Sequence, residues 1–582
     1  MRTNKFFKVM AMVLACSSLA SFAACRGGNE SSSTGGDGDS SGSSLPKSEL
    51  YVGAYDGGFG INWAETWAQK FETLHKNTEF EPGKKGVDVV VSRNPKFCLD
   101  GISMTLNDEI DEVCFIEQAN YYNFINNSMV LDVSEWMTTP LEEYGETKSI
   151  HDKMSPMDQS YYGGNTTTPT YYGAPWYFCM PSINYDAKLF EDNGYYFKAD
   201  GSFVADSSVE NGVYTGEGKL SAGPDGEEGT FDDGLPATYD QFFEMCDEMV
   251  EDGVVPFIWG GSVQNNVNFL LSSLAADFEG VEQMKLNYTF DGTATTLVKA
   301  IENGIAKYEE ATPITVQNGY EMKRQAGWYY GLKFIHRLIT TEKEDGSPKY
   351  YNYDDCFSTS VSHRAAMQKF LRSNYTASMD SIAMLVDGSW FYNESSDVFD
   401  QMSSIAGANK KDRKIGVMPM PKALSEKVGT DTTVMQSWIS SVFVRSGIDE
   451  SKLDLARAFF RFIHTDECLS TYIEDCHNIR PFTHELTGVK ESDLSMYGKA
   501  QYDLYKNAGV VNCYANNSVC KQFLSVIHGN VNSIVSINGR NESFNLITTA
   551  FNQGVSAEDY FKGMAKYMTA DAWAPYTAGA DV

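Results

Sequence analysis

From Leu50 onward the apolar pattern switches repeatedly between a period of two and a helical period, and this alternation constrains the fold more than any other feature. Leu50 to Tyr55 reads as a strand, followed by a flexible Asp56-Gly57-Gly58-Phe59-Gly60 loop. Asn62 then caps a helix with Trp63, Trp67 and Phe71 on one stripe. Val87–Val91 and Glu112–Ile116 are further strands, the second leading into a helix near Tyr121. The same alternation continues with a helix over Ala187–Asp192 stopped by Asn193-Gly194, and a helix opened by Thr238 with Gln241 completing a capping box. Strands are expected at Val254–Trp259, Ile382–Val386 and Ile415–Met418, and helices over Leu453–His464 and after Ser556. Strands alternating with helices specify an α/β fold with a parallel sheet and ligands at the carboxyl ends of strands.

The length of 582 residues exceeds what one compact unit holds, so two lobes or more are expected. A formal net charge of −32 makes the chain a poor electrostatic partner for nucleic acid. Signatures of common enzymes are missing. The eight histidines form no HExxH, and the one GxSxG, Gly38-Asp39-Ser40-Ser41-Gly42, lies in a Ser/Gly run with no strand before it. There is neither GxxxxGK nor GxGxxG. The paired carboxylates of a glycosidase have no fixed spacing and stay open.

The N-terminus reads as an export signal. Arg2, Lys5 and Lys8 precede a charge-free stretch from Val9 to Ala24, shorter than the ~20 residues a spanning helix needs. It ends Phe22-Ala23-Ala24-Cys25, so residues 1–24 read as a lipoprotein signal peptide with Cys25 carrying the lipid. Cys16 is a rival site, and a plain secretory signal a rival reading. Residues 25–47 form a tether. Its Arg26–Ser44 portion holds seven Ser, six Gly and no apolar side chain, with a reach of roughly 24 Å as a coil. Setting aside Cys16 and Cys25, nine of the eleven cysteines remain, so at least one thiol is free.

Several segments in order resemble a known family: Gly173-Ala174-Pro175-Trp176, then Ile183-Asn184-Tyr185-Asp186-Ala187-Lys188-Leu189-Phe190, then Ala383-Met384-Leu385-Val386-Asp387-Gly388-Ser389-Trp390, then Ile415-Gly416-Val417-Met418-Pro419-Met420-Pro421. Together with the signal and tether they look like the extracellular solute-binding proteins of ABC importers, in the carbohydrate branch to which maltose-binding protein belongs. The resemblance implies a two-lobed periplasmic-binding-protein-like fold of type II, with a hinge of crossing strands and a ligand cleft between the lobes. It implies crossings near Gly173–Tyr177, near Lys414–Met420 and after the helix ending at His464. One lobe would then hold 48–173 and 414–465, the other 174–413 and 466–582. The chain is longer than common members. The excess is expected in Gly145–Tyr171, Tyr196–Leu235, Glu279–Tyr320 and Thr341–His363, as polar surface loops.

Sugar binding needs flat apolar faces and planar polar groups. Trp390 is the principal stacking candidate, with Trp176, Trp259, Trp438 and Trp63 as further aromatic candidates; core packing competes in each case. Asp56, Gln118, Asn120 and Asp387 are candidate polar contacts at strand ends, with ordinary loop solvation as the competing reading. Arg480 reads first as a surface ion pair and second as a sugar contact. The loop Gly223–Gly234 offers Asp225, Glu227, Asp232 and Asp233 as ligands for a structural calcium, against a solvated acidic loop. The expected function is a lipid-anchored oligosaccharide-binding subunit on the outer face of the membrane that delivers sugar to ABC permease subunits, with no catalytic residues. The alternative is a secreted glycoside-active enzyme or a surface lectin.

Overall fold

In the computed structural model, residues 45–578 are described apart from 100, 165–166, 264, 377–378, 406–412 and 523–546. The expected signal peptide, Cys25 and nearly all of the tether lie outside the described residues. The main strands, in chain order, are β1 (Ser48–Ala54), β2 (Val87–Arg93), β3 (Val113–Glu117), β4 (Pro181–Asp186), β5 (Val255–Ile258), β6 (Ile382–Gly388), β7 (Ile415–Met418), β8 (Thr433–Gln436), β9 (Ser440–Val444) and β10 (Gly509–Asn512). They form a four-stranded sheet ordered β9-β3-β1-β2, a second ordered β7-β4-β6-β5, and the pair β8-β10.

The expected parallel sheet is in fact mixed. β1 runs parallel to β2 and β3, and β6 parallel to β5, while β9 against β3 and both β6 and β7 against β4 are antiparallel. Parallel neighbours require a crossover such as the helix between β1 and β2. Strands that arrive from the other sheet are free of that requirement. All seven residues of β6 are buried, as its two-faced apolar run demands for a central strand.

The helix Asn62–Leu74 buries Trp63, Trp67 and Phe71 as one stripe. Its cap differs from expectation. Ile61, not Asn62, precedes the first turn, with its carbonyl accepting from the Ala64 N–H at 3.0 Å and no side-chain cap. The Thr238 and Ser556 side chains cap their helices as the sequence indicates, but the expected capping box at Thr238 is not closed, because Gln241 Oε1 accepts from the Ala237 N–H at 2.9 Å instead. Gly194 takes a left-handed φ of 71° to stop the Ala187–Asn193 helix.

The chain passes from the first sheet to the second between Ala174, bridged to Val442, and Pro181. The return lies between Met418 and Ser440, later than expected, because Ile415–Met418 pairs with β4 in the second sheet. The helix Asp466–Cys476 still packs on the first sheet's helix, where the Trp67 indole N–H donates to the Cys468 carbonyl at 3.1 Å. The last passage therefore follows Cys476 and not His464. It leads to the helix Met496–Asn507, whose Tyr497 hydroxyl donates to the Gly388 carbonyl of β6 at 3.1 Å.

These passages are bound to one another by buried polar groups. Gln436 donates to the Tyr177 carbonyl at 3.1 Å and accepts from the Cys179 N–H. The Ser437 N–H donates to the Cys179 carbonyl at 2.8 Å, and Phe178 N–H to the Ile479 carbonyl at 3.0 Å. Arg480, expected at the surface, is fully buried. Its guanidinium donates to the carbonyls of Ile463 at 2.5 Å and Pro175 at 3.3 Å, and meets His464 Nε2 at 2.7 Å.

The expected surface loops are only partly so. Tyr161, Tyr162 and Tyr171 of the first insertion are buried. Glu279–Tyr320 folds into short hairpins, including Val298–Glu302 against Ile305–Tyr308, and its Val316 carbonyl accepts from the Trp573 indole at 2.7 Å. All nine described cysteines are free thiols, eight of them buried.

Arg480→Met should lower stability by about 2–3 kcal/mol, since it strands buried carbonyls without donors. A shift of the urea midpoint at unchanged slope is the measurement; an unshifted midpoint would show that the buried guanidinium contributes nothing net.

Candidate functional site

Trp390 follows β6 directly, and its position is dictated by two glycines. A Cβ on Gly388 would collide with the six-membered ring of the Trp390 indole, so the ring lies folded back over Gly388. A Cβ on Gly58, in the loop after β1, would stand 2.8 Å from the Trp390 Cβ. Trp390 is thus held, half-buried, between the carboxyl ends of strands from both sheets. Ser389 anchors the turn: its hydroxyl donates to the Phe178 carbonyl at 2.9 Å and accepts from the Met180 N–H at 3.1 Å. Asn393, one turn on, donates to the Gly58 carbonyl at 3.4 Å.

Asp387, beside this indole, and Glu117 both feel the charge of Glu394. Asp387 is buried, and among the described residues neither of its oxygens makes a hydrogen bond of ordinary geometry. Burial pushes its pKa well up, Glu394 adds to the shift, and His363, the Trp390 side chain and the Gly388 N–H offset part of it. Glu117, the last residue of β3, is buried with Oε1 unpartnered. Burial, with the Glu394 charge second, raises its pKa to about 8. Glu394 pairs with His363 at 3.1 Å, which holds the imidazole above its usual value against the opposing effect of burial. Gln118 is exposed beside them with φ of 60°, a left-handed conformation that a non-glycine residue adopts at some cost. Its N–H donates to the Ile439 carbonyl at 3.0 Å, which sets it next to Trp438. The buried Trp438 indole nitrogen has no partner, and Phe269 lies 5.9 Å away.

Among the sequence candidates, then, Trp390, Asp387, Gln118 and Trp438 lie at strand ends where the two sheets approach. The others are otherwise occupied. Trp176 is buried and donates to the Ile116 carbonyl at 2.9 Å. Trp63 is buried 5.3 Å from Trp176 and donates to the Gly60 carbonyl at 3.0 Å. Trp259 is buried against Tyr351 at 4.8 Å, with its indole nitrogen unpartnered. Asp56 forms an exposed ion pair with Arg93 at 2.9 Å, and Asn120 caps the helix Tyr121–Asn126 and donates to the Lys521 carbonyl. Sequence reasoning missed Glu117, Glu394, His363 and the close approach of Gly58 to Trp390. Glu117 had a readable signal, a charge closing the wholly apolar run Val113–Ile116.

The calcium expectation needs correction. Among the described residues no three Asp, Glu, His or Cys side chains converge as metal ligands. The loop's own donors occupy its carboxylates: Asp225 accepts from the Glu227 N–H at 2.8 Å, Asp232 from Thr230 Oγ1 at 2.6 Å, and Asp233 from the Gly229 N–H at 2.8 Å. Burial raises Asp232 to about 7, while Asp233 Oδ1 is buried without a partner among the described residues.

The Glu117 carboxyl gives a stability prediction. Its folded pKa of about 8 lies above the ordinary 4.5, so the native state holds more protons between those values. Its contribution is complete below about 4.5 and is lost as the pH rises through about 8. Glu117→Gln should therefore stabilise the ligand-free protein at pH 8 by on the order of 2 kcal/mol and flatten its melting temperature against pH. Parallel pH profiles for the two proteins would refute the assignment.

No family model matches the chain, and no curated protein matches it. Solved structures do. A chitin oligosaccharide binding protein superposes with a TM-score of 0.52 at 14% identity, covering 91% of this chain and 99% of that one. A probable secreted solute-binding lipoprotein from Streptomyces coelicolor gives 0.49 at 11% identity, covering 90% and 99%. The apo form of RafE from Streptococcus pneumoniae gives 0.48 at 12%, covering 93% and 99%. Among the described residues no helix is long and apolar enough to cross a membrane. The chain shares the mixed α/β fold of the chitin oligosaccharide binding protein.

Proposed function

We propose that this protein is the oligosaccharide-capturing subunit of an ABC importer, lipid-anchored through Cys25 on the outer face of the membrane. The sheet β9-β3-β1-β2 and the sheet β7-β4-β6-β5 are the centres of two lobes, and the chain passages between them are the hinge. Sugar enters between the lobes, stacks on Trp390 and is held by Asp387, Glu117 and Gln118. Closure then presents the loaded protein to permease subunits. The observation that carries this reading is the meeting of strand ends at Trp390, where an aromatic face held by Gly388 and Gly58 adjoins buried polar atoms that lack partners. A sugar supplies what those atoms lack, because its hydroxyls donate and accept while its C–H face packs on an indole.

Calorimetry over α- and β-linked oligosaccharides should find a ligand bound without cleavage; release of shorter products would favour the glycoside-active alternative. Trp390→Ala should weaken that affinity at least ~30-fold, about 2 kcal/mol, with little change in the melting of the sugar-free protein. A much lower melting temperature with normal binding by the folded fraction would make Trp390 a core residue. Cys25→Ser should release the protein from the membrane fraction; retention with lipid attached would move the anchor elsewhere.

A further inference from the structure

The carboxyl groups at the site around Trp390 outnumber the cationic side chains that pair with them among the described residues. Asp387 and Glu117 are 1% and 4% exposed, and their unpartnered oxygens face no lysine or arginine ion pair among the described residues. Glu394 brings a third carboxylate, and His363 can match only one of the three. A buried carboxylate without a countercharge is costly, and it either takes up a proton or receives a cation. Sugar hydroxyls would satisfy the hydrogen-bonding capacity of these oxygens but would leave the charge. A metal ion is a poor candidate, because among the described residues no group of three ligands converges.

The second feature is the indole itself. Trp390 is braced by Gly388 on one side and by Gly58 at its Cβ, and its side chain acts on the Asp387 carboxylate. An aromatic face beside a carboxylate in a desolvated place is the pairing that recognises an organic ammonium, through cation–π attraction and charge-assisted hydrogen bonds. An ammonium carries three N–H donors, so it can meet the two unpartnered oxygens of Asp387 and bring the charge that a hydroxyl lacks.

We propose that the site prefers a carbohydrate bearing a free ammonium group, an amino sugar that is not N-acylated, with Asp387 receiving the cation beside Trp390 and the Glu117 carboxyl adding to the negative field of the site. This rests on the reading of the protein as a carbohydrate-capturing subunit. It adds the charge of the ligand, which that reading leaves open. The neighbouring Glu394–His363 pair sets the field at the edge of the site and does not itself contact the ammonium.

The test compares oligosaccharides of equal length and linkage that differ only in having glucosamine or N-acetylglucosamine units. Calorimetry with the full-length protein near neutral pH is the readout. The free-amine oligomer should bind about tenfold tighter or more, and the margin should shrink in high salt. Asp387→Asn and Glu117→Gln, each close in shape to the residue it replaces, should remove the margin while melting temperatures show both variants folded. Equal or tighter binding of the N-acetylated oligomer overturns the proposal, as does a margin that survives in both variants. If a neutral oligosaccharide from the broader screen binds while the amine brings no gain, this inference fails and the carbohydrate reading stands. If no carbohydrate of either kind binds, the carbohydrate reading itself fails.

Discussion

The two sheets are joined by chain passages that cannot rely on sheet hydrogen bonding over their whole length, so their backbone groups need other partners. Buried groups left without partners would cost enough to unravel the junction. Gln436, Ser440, Asn478 and Arg480 supply the partners, all four bonding the main chain of the first passage at Pro175 to Phe178. Arg480 has the widest reach, because a planar guanidinium can serve several carbonyls at once while its flat face lies 5.3 Å from the Trp67 ring. Among the described residues it does this without a carboxylate partner, so its role there is geometric rather than ionic. The rest of the structure depends on this cross-bracing, since it decides where the end of β6 stands relative to the loop after β1.

That placement makes the site. Gly388 and Gly58 are separated by 330 positions in sequence, yet both are needed for one indole to fit. Once Trp390 is in place, Asp387 and Glu117 are shut away from water and their charges become expensive. The same burial that shifts their titration gives a ligand a strong reason to bind, because the ligand replaces lost solvation. The strained backbone at Gln118 belongs to the same corner. A left-handed residue after β3 turns the chain toward Trp438 rather than letting the strand continue.

Much of the fold was legible because it rests on local rules. The Trp63, Trp67 and Phe71 stripe, the Thr238 and Ser556 caps, the Gly194 stop and the unbroken apolar run of β6 each follow from periodicity or capping chemistry. Strand direction was less legible, since antiparallel β4 and β9 enter their sheets after long passages whose end points leave no periodic signal. Of the site, Trp390 and Asp387 could be read from their place after a strand. His363 and Glu394 could not, because their pairing joins separate helices and has no sequence spacing.

By itself, then, the sequence determined the α/β alternation, the central position of β6, the acidic character of the chain and the presence of an aromatic beyond a glycine turn. These are properties of neighbours along the chain, set by periodicity, backbone freedom and side-chain chemistry. Only the tertiary structure decided which tryptophans are core, which way Arg480 points, that carboxylates of the Asp225–Asp233 loop accept from the loop's own donors, and that Asp387 and Glu117 are both buried and both feel the Glu394 charge. Those outcomes depend on desolvation and on contacts between residues hundreds of positions apart, and neither has a local pattern in the sequence.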